Sequence, residues 1–181
     1  MALPPLNPNH VYRFDAQRGL LHTQDGERVV MLPESLLTTL MEAVVEYGDL
    51  TALRHFGVYL GDQLKLQCGQ KLDTASPEEV LTHISALLGS LGWGRVHFER
   101  WGPSLALCTE HLPMVDPDRL SAAALLGGLM SALIDQEVAC VPLAESGFLI
   151  VDPKVAEAVW NQAKEGMGQG DIVHTLLEEP C

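Results

Sequence analysis

Residues 121–134, SAAALLGGLMSALI, run for fourteen positions without a charge. A helix built from them has no polar stripe to turn towards water, so it has to be covered on every side. It would be about 21 Å long, short of the ~30 Å hydrocarbon layer of a bilayer, so it reads as a buried helix rather than a membrane span. The rest of the chain must supply the walls around it. No other apolar run comes closer to membrane length.

Three further helices are written at helical spacing. In ESLLTTLMEAVVEYG, Leu36, Leu37, Leu40, Ala43 and Val44 share a face, and Gly48 is a stop. Asp49 caps a second helix, LTALRHFGVYLGDQLKLQC, where Leu53, Phe56, Leu60 and Leu64 form a stripe. Gly57 and Gly61 stand four apart beside it, a spacing for close helix approach or simply a slack spot on a soluble helix. Ser76 and Glu79 make a capping box with Pro77 at the first helical position, ahead of Val80, Ile84, Leu87, Leu88 and Leu91. In the all-apolar helix itself, Asp116 or Asp118 sits near the start.

Between these helices the pattern switches to period two. VYRFDAQRGLLHTQDGERVVMLP reads as short strands turning at QRG and QDG. GRVHFERWG and SLALCTEH form a hairpin around GPS, and EVACVPLAESGFLIV another with ESG at its tip. PKVAEAVWNQAK starts a fifth helix, and DIVHTLLEEPC adds a turn or two. Strands that arrive in hairpins pair antiparallel. The expected class is α+β: a twisted antiparallel sheet of hairpins packed against a layer of helices. The expected divisions are an arm over residues 1–10, one domain over 11–152, and a C-terminal helix and tail over 153–181.

Chemistry is sparse. Gly89, Gly92 and Gly94 in LLGSLGWGRVHFERW follow a helix and precede a strand, the reverse of a phosphate cradle, so a phosphate would meet the negative end of the helix. They read as a helix terminus and a reversal, with Trp93 as packing anchor. Cys108 and His111 are three apart in a strand and so on opposite faces, and no four-ligand spacing exists; the expectation is no metal. There is no GxSxG, and no histidine sits in a catalytic signature. Glu78 with Glu79, and Glu99 with Glu110, read as helix-start and hairpin-surface charge. The chain carries 24 acidic against 11 basic residues, net −13, which excludes nucleic acid and anionic lipid as partners by repulsion. Four cysteines without a framework, and an N-terminus without a signal-peptide pattern, point to reduced thiols in the cytoplasm. The apolar surplus on the second, third and fourth helices points to an oligomer interface or an internal pocket, the alternative being one compact core that packs all of it.

The order of these segments resembles the 4-vinyl reductase domain and the related small subunits of TRAPP vesicle-tethering complexes. GLLHTQDGERVVMLPESLLTTLMEAVVEYG is similar to the opening hairpin and first helix, and ALRHFGVYLGDQL to the second helix with its glycine pair. VLTHISALLGSLGWGRVHFE is similar to the helix ending in GWG, and LLGGLMSALIDQEVACVPLAE to the small-residue helix and following strand. The resemblance covers about residues 11–152. It implies a dimer and a hydrophobic cavity between helices and sheet, with binding rather than catalysis. Leu60, Leu64, Cys68, Ile84, Leu88 and Trp93 become pocket candidates; Leu53, Gly57 and Gly61 become the dimer seam. Aromatic-sensing relatives carry a zinc site, but Ala122 and Ala123 stand near its first ligand. In one register its glutamate falls at Glu145; in another, Glu137 and Cys140 match while Phe148 takes the last cysteine, so zinc is not implied here. TRAPP subunits can be acylated at a cysteine near the third helix, and Cys68 lies before the equivalent helix. The reading is therefore a non-enzymatic, dimeric binding or scaffold module, without cofactor or with a buried acyl chain or small hydrophobic molecule. A small GTPase or a polarity or regulatory complex is the kind of protein partner implied. The alternative is an enzyme or enzyme accessory in tetrapyrrole or hydrophobic-metabolite chemistry, which needs His83, His97 and Glu99 at one cavity.

Overall fold

A computed structural model describes residues 12–23, 26–68, 76–102, 104–113, 116–143 and 147–178. In chain order these form β1 (Tyr12–Asp15), β2 (Leu20–Thr23), β3 (Arg28–Val29), α1 (Glu34–Glu46), α2 (Thr51–Cys68) and α3 (Pro77–Ser90). There follow β4 (Arg95–Trp101), β5 (Ser104–Glu110), α4 (Leu120–Ile134), β6 (Ala139–Pro142), β7 (Gly147–Val151), α5 (Pro153–Lys164) and α6 (Gln169–Glu178). The α+β class is as expected, with every strand pair among the described residues antiparallel.

β1, β2 and β3 make a small sheet in that order. It is tied to the helices by Tyr12, whose hydroxyl donates to Ser90 O at 3.3 Å, and by the Tyr59 hydroxyl on the Glu27 carboxylate. The main sheet has the order β4-β5-β7-β6. The chain leaves β5, crosses through α4 to the far edge at β6, and returns in β7 between β5 and β6.

Side chains alternate across that sheet. Val96, Phe98, Leu107, Cys140, Phe148 and Ile150 face a core shared with α2, α3 and α4. Trp101, Ala139, Val141, Leu149 and Val151 face a second core with Val159, Trp160, Ile172 and Val173 of α5 and α6. The sequence placed helices on one face only and left the tail without a role. The structure adds a second helical layer, because β6 and β7 are apolar on both faces and both must be covered. Ten of the fifteen residues of α4 are buried, as an all-apolar helix requires.

α2 and α4 approach closely through small residues. A Cβ added at Gly57 would stand 1.9 Å from Leu125 O, and one at Gly128 would stand 2.0 Å from Arg54 O. One at Gly61 would lie 2.6 Å from Ala132 Cβ. The glycine face expected at a dimer seam is therefore filled by α4 of the same chain, and Leu53 is buried as well. The spacing does serve close helix packing, but inside the protomer.

Candidate functional site

The pocket candidates come together. Leu60 and Leu64 from α2, Ile84 and Leu88 from α3, and Trp93 after α3 lie buried in one apolar cluster with Leu125, Leu126 and Leu129 of α4. Val96, Leu107 and Phe148 close it on the sheet side. The ring of Trp93 tilts against Phe56 at 5.4 Å between centroids. Cys68 ends α2, and its side chain lies outside the described residues.

The GWG turn fixes this wall. α3 ends with Trp93 N–H donating to Leu88 O at 2.8 Å and Gly92 N–H to Gly89 O at 3.1 Å, with Gly92 at φ 76°. This double closure leaves Trp93 packed back over the helix terminus. Gly94 follows at φ 84°, where a Cβ would meet Glu110 O at 2.1 Å, so only glycine lets β4 enter beside β5 here.

The cluster is chemically quiet. Among the described residues no buried side-chain nitrogen or oxygen lacks a hydrogen bond. Cys140 borders the cluster as a neutral thiol, pushed up to about 12 by burial, with the Arg54 charge opposing that rise. Arg119 lies over the Phe148 ring at 5.0 Å, and burial lowers its affinity for the proton. Such an interior offers shape and dispersion rather than polar or charged contacts. A pocket of about 590 Å³ is found elsewhere, on the β1–β2 hairpin, lined by Arg13, Phe14, Asp15, Arg18 and His22; no pocket candidate lines it.

Arg54 went unread in the sequence. From α2 its Nη2 donates to Val138 O at 3.0 Å and to Ser131 Oγ at 3.1 Å, and it stands 3.5 Å from the Glu137 carboxylate. The signal was a lone arginine on the Gly57–Gly61 face of α2, three residues before Gly57. The guanidinium occupies the corner of Glu137 and Cys140, the two residues that match the zinc register. Phe148 is almost wholly buried in the core and offers no donor, so this corner does not fit a metal. Glu145, the other register's glutamate, lies outside the described residues.

The three residues the enzyme alternative needs are not gathered. His83 sits on α3, its Nδ1 3.3 Å from Glu79 O. His97 and Glu99 project from the opposite sheet face, exposed.

Comparison with solved structures places this fold. The chain is similar to the phenol-responsive sensory domain of the transcription activator PoxR, crystallised with phenol. The TM-score is 0.60 at 15% identity, over 89% of this chain and 92% of that one. At that identity the likeness is one of fold, and it is to a sensory domain. No protein-family model and no curated protein matches the chain.

Proposed function

We propose that this chain is a non-enzymatic binding module of the 4-vinyl reductase and TRAPP-subunit type. It takes a small hydrophobic molecule between α2, α3 and α4 on one side and the main sheet on the other, and it works as a homodimer. The observation that carries the reading is the convergence of Leu60, Leu64, Ile84, Leu88 and Trp93 on one apolar, fully satisfied cluster. The sensory fold of the phenol-bound neighbour supports it. The separation of His83 from His97 and Glu99 weighs against the enzyme alternative.

The α2–α4 seam is locked by backbone contact at Gly57 and Gly128, so α3 is the wall that yields to a ligand. Native mass spectrometry of the full chain from its own host should show a bound hydrophobic mass. Titration with phenol and with decanoate should quench or shift Trp93 fluorescence, read in a variant with Trp101 and Trp160 replaced by Phe. Leu88→Phe, which puts a bulkier side chain into this cluster, should abolish the response to whichever probe binds. A bare mass together with no response to either probe overturns the reading.

A further inference from the structure

The β4–β5 hairpin brings three metal-ligating side chains to one place on the sheet face opposite the apolar cluster. His97 and Cys108 are direct cross-strand partners, and Glu99 is two residues along from His97 on the same face. One ligand atom from each lies within 4.8 Å of the other two. Tetrahedral zinc, with bonds of about 2.0–2.3 Å, spaces its ligand atoms roughly 3.3–3.8 Å apart. Small side-chain rotations of His97 and Glu99, each half-exposed, close that gap.

We propose that His97, Glu99 and Cys108 bind a zinc-class divalent cation, with water completing a fourth position. The donor set is one imidazole, one carboxylate and one thiolate, the mixture that a borderline-soft ion takes over magnesium or calcium. With two anionic ligands the occupied site is neutral. On binding, the Cys108 thiol gives its proton to solvent as the metal–sulfur bond forms.

Two features of the surroundings suit the site. Trp101 Nε1–H donates to one Glu99 oxygen at 3.0 Å, leaving the other, 3.5 Å from His97 Nε2, for the ion. The His97 and Glu99 side chains are each half-exposed, so the fourth position opens to solvent. Sequence spacing could not show this, because the set is made by strand register across the turn, not by Cys108 and His111.

Cobalt(II) alone, added to the full chain, is the probe. The expected result is one equivalent bound with a thiolate-to-cobalt charge-transfer band. Cys108→Ser should lose the band, and His97→Gln, at a half-exposed position, should lose binding with circular dichroism unchanged. Trp101→Phe should weaken binding about tenfold, the size typical of losing a ligand-orienting hydrogen bond. Cys68→Ser should keep the band. No band in the native chain, or a band that survives Cys108→Ser, overturns the site.

Discussion

A methyl group at Gly57 has nowhere to go, because the obstacle is the backbone carbonyl of Leu125 rather than a flexible side chain. Gly57→Ala should cost about 3 kcal/mol or more, above the usual overpacking penalty, since the two helices have to part. Gly170, early in α6, has open space around it, and Gly170→Ala should be neutral or stabilising by up to ~1 kcal/mol. Thermal melts of the two variants side by side check the pair. Cys140 makes the matching chemical case: burial pushes its thiol up to about 12, so its thiolate at pH 8 is far scarcer than in the unfolded chain. Alkylation there should be slow until the protein unfolds, as peptide mapping would read. The raised value also sets a direction for stability: full below about pH 9, falling as pH climbs, because the unfolded thiol ionises first. At this level the sequence was half legible. The four-residue glycine spacing announced close approach, but not that Gly128 and α4 answer it, since one helix's pattern names no partner.

The ends of α3 were written in the chain and are found there. Ser76 Oγ accepts from Glu79 N–H at 3.2 Å, and Glu79 Oε2 accepts from Ser76 N–H at 3.0 Å. Ser76→Ala should cost about 1 kcal/mol in chemical denaturation, as a lost N-cap does. Because α3 is the wall proposed to move, the same change should also speed ligand exchange, measured by stopped-flow with the bound probe. The start of α5 was legible as Pro153, and Asp152 Oδ1 caps it by accepting from Lys154 N–H at 2.9 Å. What α5 and α6 cover was not. Leu149 and Val151 pack with Val159, Ile172 and Val173, so the face of β7 opposite Phe148 and Ile150 is interior too. Ile172→Asp should therefore behave as a core mutation, with soluble yield and melting temperature falling together, although it lies in the tail.

Across the whole molecule, the chain repels its own copies. At net −13, two protomers meet most easily where charge is scarce and apolar surface is bare. Val30, Met31 and Leu32 are exposed ahead of α1, and Leu36 and Leu40 continue the patch along a helix with no fully buried residue. Only Glu34 carries charge between Val30 and Leu40. With the glycine face spent on α4, the homodimer proposed above is expected to use this surface, which is apolar and short of charge as an interface centre is. Screening shortens the reach of the acidic repulsion to about 8 Å at physiological ionic strength, so association should strengthen as salt rises from low values. Light scattering on the native chain should give twice the protomer mass at physiological salt. Leu36→Glu with Leu40→Glu should return it to one protomer mass without lowering the melting temperature of the fold, since neither residue is buried. A native chain that stays at one protomer mass throughout, or a double variant that still doubles, removes this face from the argument.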